Sequence, residues 1–469
     1  MSYNSACIIG GGACGLATLR ALIKEGGFDR LVGFEQRDSF GGIWNHNELA
    51  DQVLEIPSID PSTIVNPVTT KDGFVWPNAV YDDLQTNTPY PLMELNGHSF
   101  PEGTPLFPHR TVVLDYISKY GEDLKSYYRF ETRVVDVQKG SKSWIVRSRK
   151  VCAETEGGVK ESTEFPDTIE EFDAVLVAIG VYDLPFIPAL SGLNEWNKLK
   201  PNTIVHSKTY RHPRNIAHID GNILVIGNSA SGIDICYQYA RFTGKNIYKS
   251  ARSPSKVPGG TSELVIDLPD IDFLDPESES VVFVDGSRLE NVKLIIFATG
   301  YLRSLPFFKL INATNKPLIT SGARIHGLYK HCWSYEYPGL AFIAISRYVL
   351  PFHAAEIQGS WLAKILRQKL SLPSYEQMQE EEKQLLRLRG DTPAFHDLTF
   401  PDDVEYTGAL LRDIKSCIGY ENGLVPKEWT ERELSLRKNT KLLKKVCLDH
   451  FEKTGENLTI ADVEKLSIL

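Results

Sequence analysis

The run Ala6-Cys-Ile-Ile-Gly10-Gly-Gly12-Ala-Cys-Gly15 limits what this chain can fold into more than any other segment. Apolar residues ending in glycine read as a buried parallel strand. From Gly15 onward, Leu16, Leu19, Leu22 and Ile23 fall on one face of a helix. Leu31-Val-Gly-Phe-Glu35 then predicts a second strand. Strand, glycine turn, helix and strand in a unit of roughly 30 residues bind a dinucleotide. Gly10 permits the tight turn, Gly12 lets backbone approach a pyrophosphate, and Gly15 lets the helix pack on the strand. The helix N-terminus adds unpaired N–H groups and a partial positive charge. Gly10, Gly11, Gly12, Ala13, Cys14 and Gly15 are therefore the candidate pyrophosphate loop. Glu35 closes the second strand, where a carboxylate accepts ribose hydroxyls and repels a 2′-phosphate. This site suits FAD or NAD rather than NADP.

The pattern returns in mid-chain. A strand at Asn222–Gly227 leads into Gly227-Asn228-Ser229-Ala230-Ser231-Gly232, a helix over 231–242 and a strand at Asn246–Ser250. Ser229 replaces the middle glycine, so Ser hydroxyls become candidate phosphate donors. Asp234 falls in the first helical turn. No acid closes the second strand; Ser250 and Arg252 stand there instead. A cation at that place suits the 2′-phosphate of NADPH. Two dinucleotide sites in one chain imply electron transfer between two cofactors, one of them a flavin.

Composition narrows the rest. A length of 469 residues suggests about three domain-sized units. The net charge of −9, with no basic tract, argues against nucleic acid as a partner. No apolar run approaches the roughly 18–20 residues that cross a bilayer, and the N-terminus lacks the cations of a signal peptide. Seven scattered cysteines include no Cys-x-x-Cys, so a disulfide scaffold, a zinc site and a dithiol centre are poorly supported. Free thiols in a reducing cytosol are expected, with Cys14 a small buried residue rather than a reactive one. Residues 45–110 read as loops wrapping a site. A helix is expected at 111–120 and strands at 129–136, 144–149, 172–178, 292–298 and 340–346. Lys150 to Glu171 reads as a solvated loop or hairpin tip, and a helix follows at 354–369. The charges at 380–383 and 387–389 read as a solvated helix face.

Further motifs occur in order: Glu35-Gln-Arg-Asp-Ser-Phe-Gly-Gly42-Ile43-Trp44, Tyr81-Asp-Asp-Leu-Gln-Thr-Asn87-Thr88-Pro, Asp173-Ala-Val-Leu-Val-Ala-Ile-Gly180, Phe297-Ala-Thr-Gly300-Tyr301, and Glu356-Ile-Gln358. Together they resemble the flavin-containing monooxygenases over nearly the whole chain. The resemblance implies an α/β fold of two Rossmann-like domains. An NADPH domain at 200–316 is inserted into a discontinuous FAD domain formed by 1–199 and 317–469. It also implies a reaction. NADPH reduces FAD, O2 adds at flavin C4a, and the hydroperoxyflavin oxygenates a soft nucleophile (a thiol, sulfide or amine) to an S- or N-oxide. Asn87 is the catalytic candidate, an uncharged amide able to donate to the peroxyflavin and accept from the nicotinamide. Gly42, Ile43, Trp44, Thr88, Val134 and Gln358 join the FAD set, and Tyr210 the NADPH set. His206 and Tyr210 also read as setting linker geometry rather than moving protons.

Two departures stand out. The family fingerprint F-x-G-x-x-x-H-x-x-x-[YFKW] carries Lys200 and Asn202 in place of Phe and Gly, and Lys293 replaces a usual Asp. Rival readings are a Baeyer–Villiger monooxygenase acting on ketones, a disulfide reductase and a non-catalytic flavoprotein redox sensor. Several animal relatives end in a hydrophobic segment, whereas this chain ends in Asp462-Val-Glu-Lys-Leu-Ser-Ile-Leu469. A soluble, cytoplasmic enzyme is expected, with a homodimer the default association.

Overall fold

A computed structural model describes residues 3–47, 55–70, 73–151 and 166–466. The first unit opens with β1 (Ser5–Ile9), α1 (Ala13–Glu25) and β2 (Arg30–Phe34). After the loop-rich segment come α2 (Arg110–Tyr120) and β3 (Tyr128–Arg129). A three-stranded antiparallel sheet follows: β4 (Thr132–Lys139), β5 (Trp144–Lys150) and β6 (Thr168–Phe172). The chain then re-enters the main sheet as β7 (Ala174–Val177). At Glu131 a φ of +50° marks the break between β3 and β4, so the single strand expected at 129–136 is divided between two sheets. The expected loop 150–171 is in part strand, because β6 pairs with β5 from Trp144↔Phe172 to Ser148↔Thr168. Its centre, 152–165, lies outside the described residues.

The second sheet lies wholly within the next segment. It consists of β8 (Ile204–His206), β9 (Asn222–Ile226), β10 (Ile247–Ser250), β11 (Val265–Leu268) and β12 (Val292–Phe297), with α3 (Ala230–Thr243) between β9 and β10. Its order is β8-β12-β9-β10-β11, all parallel. The chain then returns to the first sheet as β13 (Leu328–Tyr329), β14 (Trp333–Ser334) and β15 (Leu340–Phe342). That sheet reads β13-β14-β15-β7-β1-β2-β3 and is parallel from β15 to β3. One Rossmann-type unit is thus inserted into another. Leu184–Pro185 and Tyr301–Leu302, the outgoing and returning chain, pair antiparallel.

Burial follows from this layering. Parallel strands are covered on both faces, so β1 from Ala6 onward and all of β7 are apolar and buried. α4 (Pro351–Leu366) crosses α1 closely at Gly359, where a Cβ would stand 2.8 Å from the Thr18 Cα. The C-terminal part is helical: α5 (Tyr375–Arg389), α6 (Asp402–Lys415), α7 (Glu431–Lys438) and α8 (Thr440–Thr454). The solvated face expected on α5 fails at Glu382. That side chain is buried and accepts from Arg324, Tyr335 and the Gly327 N–H. A buried carboxylate is tolerated because every bond it needs is supplied. Among the described residues no helix is long and apolar enough to cross a membrane, and every cysteine is free. Cys152 lies outside the described residues.

Candidate active site

The two glycine loops have the same construction. Gly10 (φ +114°) and Gly227 (φ +110°) end β1 and β9, and a Cβ on either would lie 2.5 Å from a carbonyl oxygen, that of Ala178 or Ala298. Gly15 and Gly232 come one helical turn later, where a Cβ would lie 2.0 or 2.1 Å from the oxygen of Gly10 or Gly227. Glycine at these places lets each helix start against its strand. Both N-cap residues, Gly12 and Ser229, make no side-chain cap, so the first N–H groups of α1 and α3 keep their capacity for an anion.

The first loop opens onto a cavity of about 710 Å³, within the range of ligand pockets. Gly10, Gly12, Ala13, Cys14, Glu35, Gly42, Ile43, Trp44, Asn87, Thr88 and Val134 all line it. Gly12 and Gly42 face each other, a Cβ on Gly12 standing 3.5 Å from the Gly42 Cα, so the wall here is bare backbone. Gly11 lies behind that wall. Its N–H donates to Glu35 Oε2 at 2.6 Å, while the Arg37 N–H donates to Oε1 at 2.9 Å. The buried Glu35 carboxylate is thereby oriented, with lone pairs left for hydroxyl donors. Burial pushes the Cys14 thiol up to about 12, so it is a neutral wall residue.

Asn87 has a buried Oδ1 with no hydrogen-bond partner among the described residues. A buried amide oxygen left unpaired costs about 1–3 kcal/mol, which a ligand in the cavity would relieve. Gln358 departs from expectation. It is buried behind the wall, its Oε1 accepting from the Ala344 N–H at 2.8 Å and its Nε2 donating to the Tyr406 hydroxyl at 2.7 Å. Both ends of the amide are spent on the protein, so Gln358 shapes the wall through Ala344 and does not reach into the cavity.

The second loop brings together only part of its expected set. Ser229 is exposed, Ser231 half-buried and Asn228 bound to the Ser253 carbonyl. Arg252 is exposed and makes no ion pair among the described residues. Three others are turned to internal use. The Ser250 hydroxyl donates to the Pro269 carbonyl at 2.6 Å. The Tyr210 hydroxyl donates to Gln238 Oε1 at 3.0 Å. Asp234 accepts from the Tyr81 hydroxyl and tethers α3 to the segment that carries Asn87. In each case the polar atom points at a neighbouring element rather than at the loop.

His206 is fully buried, and burial lowers its imidazole to about 3, so it is neutral. Nδ1 accepts from the Lys208 N–H, so Nε2 carries the proton and donates to the Gly300 carbonyl at 2.9 Å. The buried Lys208 ammonium holds the carbonyl and carboxylate of Asp183. These two side chains clamp both linkers, and both ring nitrogens of His206 are engaged by backbone. His109 caps α2: Nδ1 accepts from the Thr111 N–H and Nε2 donates to the Asp82 carbonyl at 2.8 Å.

Residues that sequence reading missed also line the cavity, among them Arg37, Asn78, Tyr182 and Ser346. Ser346 Oγ and Asn78 Nδ2 are buried and have no partner among the described residues. Nothing in their spacing marks them; they come together only when the loops fold over the sheet.

Comparison with known proteins agrees with this architecture. The family described as Flavin-binding monooxygenase-like matches residues 4–263 and 271–436. The chain is 26% identical to the thiol-specific monooxygenase of Saccharomyces cerevisiae, covering 92% of this chain and 90% of that protein. It is 31% identical to the flavin-containing monooxygenase FMO GS-OX-like 2 of Arabidopsis thaliana, covering 89% and 83%. Among solved structures, S-allyl-L-cysteine S-oxygenase from Allium sativum superposes with a TM-score of 0.72 at 26% identity, covering 94% of both chains. The fold and both loops define a two-dinucleotide oxidoreductase. The chain belongs to the flavin-binding monooxygenase-like family, whose typical cofactors are FAD and NADPH.

Proposed function

We propose that this chain is an NADPH- and O2-dependent monooxygenase of soft nucleophiles, with sulfur compounds the first substrates to test. The observation that carries the reading is the unpartnered Asn87 Oδ1 on the wall of the cavity into which the first glycine loop opens. The residues present fit the two cofactors. Bare backbone at Gly12 and Gly42, the open α1 N-terminus and the oriented Glu35 suit the pyrophosphate and ribose of FAD. The open α3 N-terminus and the free Arg252 suit NADPH. The domain division follows the two sheets, 1–199 with 317–469 for FAD and 200–316 for NADPH.

Bound flavin, reduced by NADPH, supplies the activation of O2. One oxygen atom passes to sulfur or nitrogen, the other leaves as water, and NADPH provides the two electrons. The protein's task is to position and to exclude water. Asn87 brings an uncharged amide to the cavity, where a carboxylate would repel reduced flavin. Gln358 and Tyr406 hold the Ala344 wall from behind. The neutral His206 fixes the linkers without offering a proton. A sulfur substrate is favoured because the yeast and Allium relatives are named for thiol and S-allyl-cysteine oxygenation. Location in the cytoplasm and association as a homodimer complete the proposal.

The test is oxygenation of a panel of thiols, sulfides, amines and ketones by the FAD-loaded protein under NADPH and air. S- or N-oxides support the reading. Conversion of ketones to esters instead would replace it with a Baeyer–Villiger activity.

A further inference from the structure

α8 lies beyond residue 436, where the family match ends. It nevertheless touches both halves of the candidate site. At its outer end the Tyr237 hydroxyl of α3 donates to Glu452, and Arg241 of α3 lies over the Phe451 ring at 5.2 Å. At its inner end Lys444 is buried, with its ammonium over the Phe107 ring. Lys444 Nζ donates to the Thr86 carbonyl at 2.9 Å, immediately before Asn87 in the chain. The Asp234 carboxylate of α3, which accepts from Tyr81, acts on this ammonium through its charge without a direct ion pair. Burial pulls the Lys444 ammonium down to about 8 against the opposing pull of Asp234. A buried cation is costly unless it is paired and bonded, so its location calls for a role.

We infer that Lys444 is a positioning residue that holds the Asn87 segment in register with α3, so that α8 straps the first cofactor unit to the second. This rests on the proposed function, in which Asn87 serves the flavin cavity and α3 carries the NADPH loop. Thr86 and Tyr81 belong to one short segment of the first unit, and Asp234 lies in the second turn of α3, not the first turn expected from sequence. α8 therefore holds the Asn87 segment through Lys444 and α3 through Glu452 and Phe451, and a shift of either element disturbs these contacts. The strap couples occupancy of the second loop to the position of Asn87 through side chains that touch neither cofactor.

The test uses the full-length, FAD-loaded protein and the variants Lys444→Met, Lys444→Arg and Lys444→Met with Asp234→Asn. Flavin content and circular dichroism check the fold. The readouts are NADP+ affinity, followed by flavin absorbance, and the share of NADPH electrons appearing as hydrogen peroxide. Lys444→Met is expected to weaken NADP+ by roughly fivefold or more and to raise the peroxide share. Lys444→Arg should restore most of both, and the double variant should be no worse than Lys444→Met alone, as expected for one shared interaction. Unchanged NADP+ affinity and peroxide share in Lys444→Met would overturn the inference. If Lys444→Met fails to retain flavin, Tyr237→Phe at the outer end of the strap is read by the same two measurements, with smaller changes of the same sign expected and no change overturning it. A wild-type protein that does not oxidise NADPH defeats the proposed function. An active wild type with an indifferent Lys444→Met defeats the strap alone.

Discussion

Asn202 occupies the position where the family fingerprint carries glycine, and its φ is +63°. Asparagine is among the non-glycine residues that best tolerate the left-handed region, so the replacement preserves the turn. Asn202→Gly should be close to neutral, whereas Asn202→Val should cost about 1–2 kcal/mol, as measured by urea unfolding. Asn87 makes the functional counterpart. Asn87→Leu removes the amide but keeps much of the volume, so the protein should load FAD while its oxygenated product per NADPH falls and hydrogen peroxide rises. Full coupling in that variant would remove Asn87 from the mechanism. The place of Asn87 on the cavity wall was legible because a local motif carries it. Gln358 was misplaced because motif position says nothing of which way a side chain faces on a helix buried on all sides. Lys444 was invisible: beside Lys441 and Lys445 it looks like part of a solvated stripe, and only tertiary packing turns it inward.

At the scale of elements, the other fingerprint departures form one device. Lys200, just past the short helix that precedes β8, and Lys293, on β12, both bind the carboxylate of Glu279, with Lys200 Nζ 2.6 Å from Oε1. The two ammonium groups hold the Glu279 carboxyl down to about 2. Restoring the family's acid by Lys293→Asp should lower the Tm, because like charges would then face each other. Adding Glu279→Gln should recover much of the loss, since it removes the repulsion without setting a cation against Lys200. Absence of recovery would show that Lys293 acts independently of Glu279. On α4, burial raises the Glu356 carboxyl to about 7 against an opposing bond from the Asn96 N–H. A carboxyl raised in the fold contributes fully below its ordinary value and loses that contribution as pH rises through about 7. Glu356→Gln keeps an acceptor for Asn96 and removes the penalty, so at pH 8 it should stabilise the protein by roughly 2–3 kcal/mol. Strands and helices with strict periodicity were readable in advance. The division of the strand at Glu131 and the buried Glu382 were not, since both depend on where a second sheet or a neighbouring helix lies.

At the scale of the whole molecule, the two Rossmann-type units repeat a geometry whose sequence signals differ, Gly-Gly-Gly in one and Gly-Asn-Ser in the other. The insertion was legible because each unit announces itself through its own strand, loop and helix. The composition of the cavity wall was not, because it draws on loops far apart in the chain. Four of the buried histidines give the fold a pH signature. Burial lowers His206 and His331 to about 3, His353 to about 4 and His396 well below its ordinary value. Groups lowered in the fold take up protons first in the unfolded chain, so their stability is lost as pH falls from about 6.5 toward those values. The carboxyls raised by burial, Glu356, Asp234, Glu381 and Asp403, oppose this, and the lowered His46 and His326 add to it. Stability should then fall as pH drops from about 6.5 to 5, more steeply in Glu356→Gln. A flat Tm between pH 6.5 and 5 would contradict this burial pattern.

The central claim is that the two loops and Asn87 together direct the electrons of NADPH into oxygenation of a soft nucleophile. The most direct measurement is the stoichiometry of NADPH oxidised, O2 consumed, hydrogen peroxide released and S- or N-oxide formed by the FAD-loaded protein across a panel of small thiols, sulfides and amines. With its substrate the wild type should form one oxygenated product per NADPH with little peroxide. NADPH oxidation that ends entirely in peroxide with every nucleophile, or no NADPH oxidation at all, would contradict the claim.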